Sequence, residues 1–145
     1  MGKMTESAIE DLALERLQQL GYAYLHGPDI APDSATPLRA SLESPLLESK
    51  LQAAVDRINP TIPAQARQET ARQIMRLSSP DLISANEAFH ILLTQGVPVS
   101  YQKDGAERGD LVWLVDFSKP DNNEFLAVNQ FTVIEKNVNK RPDSP

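Results

Sequence analysis

Apolar positions recur at helical spacing through the first two thirds of the chain and crowd into dense runs after it. Ile9, Leu12, Ala13, Leu17 and Leu20 form one stripe, which predicts a first helix. Ser7 and Glu10 have capping-box spacing, with Thr5 as the alternative N-cap. Gly21 stands where a left-handed C-terminal residue belongs. Tyr22–Leu25 reads as a short strand before the Gly27-Pro28 break. Pro28 to Ser44, rich in Pro, Asp and Ser, reads as a surface loop. A second helix is expected from about Pro45, with Leu47, Leu51, Ala54 and Ile58 on one face and Asn59-Pro60 ending it. A third runs from Pro63 to Leu77, patterned by Ala66, Ile74 and Leu77, and Ser78-Ser79-Pro80-Asp81 punctuates. A fourth carries Leu82, Ala85, Phe89, Leu92 and Leu93, and Gly96 closes it.

After Gly96 the period changes from helical to extended. Val97–Tyr101 is extended, 103–109 is a polar turn region, and Leu111–Phe117 and Phe125–Glu135 are β-prone runs. The last two, joined by the turn at 119–123, predict an antiparallel hairpin. The fold class expected is therefore α/β, or α+β by order along the chain: about 1–96 mainly helical, 97–135 mainly β with antiparallel strands, and 136–145 a polar tail. The basic residues of that tail are Lys136, Lys140 and Arg141. A lone hairpin is marginal in water, so a sheet that begins so late in the chain is expected to need further strands.

Composition narrows the class. A chain of 145 residues fits one domain or a large part of one, with enough length to bury a core. It has no cysteine, which excludes a disulfide scaffold, a thiolate metal site and a cysteine nucleophile. The net charge is −6 and the isoelectric point about 4.9. A protein that grips nucleic acid along the backbone usually has a cationic face, so any DNA contact is expected to draw its positive surface from elsewhere. No apolar run approaches the roughly 20 residues of a membrane span, and the first ten residues lack a signal-peptide core. A soluble, cytoplasmic protein without membrane partners is expected.

Most catalytic constellations are missing. His26 and His90 are far apart, and neither has ligand spacing to the other. The glycines are scattered at turns, with no phosphate-binding loop. Metal-dependent phosphodiester cleavage needs converging hard-oxygen ligands and an activated water. One arrangement places an Asp at the start of one strand and Glu-x-Lys on the next. Pro-Asp occurs at 28–29, 32–33, 80–81, 120–121 and 142–143, so the dipeptide alone says no more than turn. Glu-x-Lys occurs once, at Glu48-Ser49-Lys50, inside a predicted helix and ahead of most Pro-Asp copies, where a solvated helix face is the better reading.

Longer strings carry more. Thr5-Glu6-Ser7-Ala8-Ile9-Glu10, Leu20-Gly21-Tyr22 and His26-Gly27-Pro28-Asp29-Ile30 resemble the opening of type I restriction endonuclease R subunits. Ala88-Phe89-His90 followed by Gly96-Val97-Pro98-Val99 is similar to a central segment of the same family. The most specific stretch runs from Asp116-Phe117 through Asn122–Glu135, and leads into Asn139-Lys140-Arg141-Pro142-Asp143. The resemblance covers nearly the whole chain. It implies a restriction-endonuclease-like PD-(D/E)xK core, here incomplete, followed in the family by ATP-dependent translocating domains. It implies Mg2+ as the nuclease cofactor, and ATP only in downstream domains. DNA and the methylation and specificity subunits are the implied partners. Asp143 matches the family's first metal-binding and catalytic Asp. Some nucleases of that fold bring a helix Glu to the metal, and Glu6 is the candidate here; helix-dipole or capping roles account for Glu6 and Glu10 equally well. Only Ser144 and Pro145 follow Asp143, with no Glu-x-Lys strand and no ATPase motif after it. The expectation is an N-terminal fragment, not catalytic alone, with a protein-interaction or scaffold module docking on the restriction complex as the alternative.

Overall fold

The computed structural model of the protein describes residues 5–39, 41–42, 46–77, 82–135 and 138–140. Its elements are α1 (Glu6–Gln19), β1 (Ala23–His26), α2 (Glu48–Ile58), α3 (Ala64–Met75), α4 (Leu82–Gln95), β2 (Val97–Lys103), β3 (Ala106–Val112), β4 (Leu126–Asn129), β5 (Val133–Glu135) and β6 (Val138–Lys140). The class is mixed α and β, helices first and most strands later, as the pattern predicts. The chain divides into two compact units, one formed by 1–45 with 124–145, the other by 46–123. Among the described residues, no helix is long and apolar enough to cross a membrane.

The unit of residues 46–123 holds the larger core. Val55, Ile62, Ile74, Val97, Val112 and Leu114 are buried together, with Leu51, Ala66, Phe89 and Leu92 packed around them. Burying each such side chain fully contributes about 1.5–3 kcal/mol. On α3 the buried positions Thr70 and Ile74 follow Ala66 at four-residue spacing, one face of a helix. The buried Thr70 hydroxyl donates to the Ala66 carbonyl at 2.9 Å, so it costs little there. Asn59 ends α2 and is itself buried. Its Nδ2 donates to the carbonyls of Val55 and Trp113 at 2.9 and 2.8 Å, and its Oδ1 accepts from the Trp113 N–H at 2.8 Å.

β2 and β3 form an antiparallel hairpin, Val97 opposite Val112 and Lys103 opposite Ala106. The turn is Asp104-Gly105, with φ of 54° and 79°. Positive φ at both central residues is the primed turn that matches strand twist, and Asp-Gly is its favoured sequence. This corrects the expected pairing. Residues 113–119 form bends rather than a strand, because Asp116 takes the backbone N–H groups of Ser118 and Lys119 on its own carboxylate.

In the other unit, Thr5 caps α1, its Oγ1 accepting from the Ala8 N–H at 3.2 Å. The capping box expected at Ser7 and Glu10 does not form, which leaves the Glu10 carboxylate for other partners. Gly21 has φ 98° and breaks the helix as expected. The α1 stripe stays largely in solvent, with Leu20 77% exposed. α1 lies beside β1, and two four-residue strands are too small a surface to cover it. β1 pairs with β4 in parallel, His26 beside Asn129. The long β-prone run 125–135 is thus split: Gln130, at φ 52°, ends β4, and β5 pairs with β6. The loop after β1 is not wholly on the surface, because Ile30 and Arg39 are buried. Arg39 donates to the Thr132 and Leu42 carbonyls at 2.5 and 3.0 Å and lies 4.0 Å over the Phe131 ring. A guanidinium suits this role, with five donors in a flat fork and a face that stacks. Burial lowers its pKa from the ordinary value.

Candidate functional site

Alternation along β1 puts Tyr24 and His26 on one face. The parallel register places Asn129 of β4 at His26. The Asn129 side chain then serves as a hub. Its Oδ1 accepts from the Tyr24 hydroxyl at 2.8 Å and contacts His26 Nδ1 at 3.0 Å. Its Nδ2 donates to Glu10 Oε1 at 2.5 Å. Gln130, the next residue, turns its Nε2 to the same carboxylate, 3.2 Å from Oε2 and 3.4 Å from Oε1.

Two backbone features make this possible. The left-handed conformation of Gln130 is uncommon for a residue with a Cβ, and it brings two consecutive amides to one carboxylate. Gly27 lets the chain pass close by: a Cβ there would lie 2.3 Å from the Gln130 carbonyl oxygen and 2.6 Å from that of Asn129. The Tyr22 and Phe125 rings, centroids 5.3 Å apart, pack together at the start of the strand pair.

Glu10 is therefore oriented by two neutral amides. Among the described residues no Lys or Arg forms an ion pair with it, so its charge is directed rather than neutralised. What the arrangement offers is a fixed anionic acceptor, with an imidazole and a phenol tied to it through one amide.

Of the described residues singled out from sequence, Glu10 lies in this cluster and Glu6 does not. Glu6 is exposed in the first turn of α1, where it complements the helix dipole, and no hydrogen bond joins it to the cluster. Asp143 lies outside the described residues. Glu48 and Lys50 open α2, in the other unit, and His90 is exposed on α4. Reasoning from sequence passed over Tyr24, Asn129 and Gln130 and gave His26 an ordinary role. The available signal for His26, Asn129 and Gln130 was their place in the strings that carry the resemblance, at both ends of the chain; Tyr24 lies between two of those strings.

Mg2+ takes near-octahedral oxygen coordination and usually needs more than one protein carboxylate or a substrate phosphate. Among the described residues no group of three His, Cys, Asp or Glu is placed to hold a metal ion. Glu10 alone does not fit that requirement.

A second polar arrangement sits in the other unit. Asp116 accepts from the Ser118 and Lys119 N–H groups at 3.1 and 2.9 Å, and from Asn122 Nδ2 at 3.0 Å. These bonds, led by that of Asn122, hold its carboxyl below the usual carboxylate range. A cavity of about 370 Å³ lined by Ile58, Trp113 and Phe117 lies beside it. Asp116's partners belong to its own turn, so the arrangement is a loop lock.

Known proteins agree with the strings. The family model for the type I restriction enzyme R protein N terminus matches residues 3–144. The chain is similar to the type I restriction enzyme HindI endonuclease subunit of Haemophilus influenzae, 35% identical over 141 residues, 97% of this chain and 13% of that protein. It is also similar to the putative type I restriction enzyme MjaIXP endonuclease subunit of Methanocaldococcus jannaschii, 30% identical over 138 residues, 93% of this chain and 13% of the relative. The chain thus spans roughly an eighth of the length of these curated relatives. No solved structure matches it. On the extent of the family match, the chain belongs to the family of type I restriction enzyme R protein N termini.

Proposed function

We propose that this chain is the nuclease-side N-terminal region of a type I restriction R subunit, and that Glu10 is an acidic residue of its DNA-cleaving site. The observation that carries the reading is the clamp on Glu10. Asn129 and Gln130 come from the stretch on which the resemblance is most specific, and they orient one carboxylate from the opposite end of the sequence. A carboxylate so held can position or deprotonate the water that attacks a phosphodiester, a role worth about 10²–10⁴-fold in rate. This replaces Glu6 by Glu10 as the helix carboxylate and keeps Asp143 as the family-matched partner. DNA would be held mainly by other parts of the complex, since this chain is acidic. Mg2+ remains an implication of the resemblance, as do ATP-driven translocation and assembly with methylation and specificity subunits.

The experiment is a hybrid subunit in which these residues replace the matched segment of the Haemophilus relative. Assembled with that relative's partner subunits, it is expected to cut unmodified DNA. A hybrid that assembles and still leaves DNA intact contradicts the reading. The 145-residue chain by itself is expected to leave plasmid intact with Mg2+. Cutting that is lost on Asp143→Ala contradicts that expectation.

A second reading, a docking module, is favoured by one feature. Ile9 and Leu12 of α1 and Leu20 at its C-cap are 54%, 44% and 77% exposed. Co-purification with the methylation and specificity subunits, lost on Leu12→Glu with Leu20→Glu, supports it; unchanged co-purification of the double variant removes it.

A further inference from the structure

The Asn129 hub fixes more than the carboxylate. An ionised carboxylate has no proton to give, so the Asn129 atom facing Glu10 is the donor Nδ2. The opposite amide orientation would set oxygen against oxygen. With Nδ2 committed to Glu10, Oδ1 faces Tyr24 and His26. An amide oxygen only accepts, so both neighbours must donate. Tyr24 gives its hydroxyl proton, and His26 Nδ1 must carry a hydrogen. A neutral imidazole has one N–H, so its Nε2 is then the bare nitrogen. Among the described residues no hydrogen bond is made to Nε2.

We propose that Asn129 is a positioning residue that locks neutral His26 as the Nδ1–H tautomer, making Nε2 a second proton acceptor in the cluster that holds Glu10. The lock is one-sided, because a free imidazole in water favours the Nε2–H form. The ligand class that Nε2 takes is a hydroxyl donor, a bound water or an alcohol. The functional meaning of this acceptor rests on the nuclease reading above; the tautomer itself does not.

Long-range 1H–15N correlation spectra of the full 15N-labelled chain test the assignment at about pH 9, well above the ordinary imidazole range. The two histidines are told apart with His90→Gln. His26 is expected to show a protonated-type shift at Nδ1 and the strong downfield shift of a bare nitrogen at Nε2. The paired change Asn129→Asp with Glu10→Gln keeps an acceptor at Nδ1 and a donor opposite it, and this Asp variant is expected to keep that pattern. Asn129→Leu removes the acceptor and is expected to return the ring to the Nε2–H form, with the backbone spectrum checking that it is folded. An Nε2–H ring in the unaltered protein overturns the proposal. So does a folded Leu variant that remains Nδ1–H. Should the Leu variant not fold, the unaltered protein and the Asp variant decide. The readout needs no cleavage, so a hybrid subunit that fails to cut overturns the nuclease reading while an Nε2–H ring overturns this one.

Discussion

Gly27→Ala probes the place where fold and site are joined. The added Cβ would lie 2.3 Å from the Gln130 carbonyl oxygen, 2.6 Å from the Asn129 carbonyl oxygen and 2.7 Å from the Gln130 carbonyl carbon. All three are backbone atoms, so no rotamer change relieves the clash. Ordinary contact begins at 3.4 Å, and the strands must part by about an ångström. Overpacking of this kind costs about 1–3 kcal/mol. Parting β1 from β4 also stretches the Asn129 bonds to Tyr24 and His26, each worth about 0.5–1.5 kcal/mol. The expected loss is about 3 kcal/mol. Two other glycines calibrate it. Gly21, at φ 98° in open space, carries only the left-handed penalty of about 1–2 kcal/mol. Gly109 has open space and no positive φ, and its replacement by Ala is expected to be close to neutral. Urea unfolding followed by far-ultraviolet circular dichroism ranks the three, with Gly27→Ala the most costly. If Gly27→Ala costs no more than Gly21→Ala, the close passage of the chain at Gln130 is wrong, and the geometry of the Glu10 clamp falls with it.

Other expectations concern the unit of residues 46–123. Asn59→Ala removes three side-chain hydrogen bonds, one to the Val55 carbonyl and two that tie the end of α2 to Trp113, and is expected to cost about 2–4 kcal/mol. Trp113 fluorescence during urea unfolding reads that loss directly; a shift under about 0.5 kcal/mol would show the bonds are replaced by water. Asp116 is expected to titrate below the ordinary Asp range because of Asn122 and the Lys119 and Ser118 N–H groups. A lowered folded-state pKa stabilises the fold above the unfolded pKa, and that stability is lost as pH falls through the folded one. Carboxyl 13C shifts follow this titration, and Asn122→Ala should move the midpoint up. A midpoint already in the ordinary range would refute the loop lock.

Local signals were legible in the sequence and distant pairings were not. Gly21, Asn59 and Gly96 each mark a helix end because a residue's own backbone preference is a local property. The Asp104-Gly105 turn was equally local, yet the β-prone run 111–117 drew the hairpin one segment too late. Asp116 decided that segment, through bonds to its own turn that apolar content does not reveal. The β1–β4 pair joins residues about a hundred positions apart, and alternation says that a strand has a buried face without saying which strand lies beside it. For the same reason the partners of Glu10 could not be read. Its spacing to Ser7 suggested a cap, which Thr5 supplies instead. Neutral amides such as Asn129 and Gln130 have no chemical signature until a carboxylate faces them. Family membership was legible because several strings together, the longest the fourteen residues 122–135, carry information that single dipeptides do not.

The central claim is that the first helix contributes Glu10, and not Glu6, to DNA cleavage. Both can be changed to Ala in the hybrid subunit, and cleavage of unmodified DNA compared at equal assembled complex. The clamp on Glu10 predicts a loss of about 10²-fold or more for Glu10→Ala. Glu6, exposed in the first turn, predicts a change within about twofold. Full cleavage by Glu10→Ala, or its loss on Glu6→Ala alone, would contradict the account.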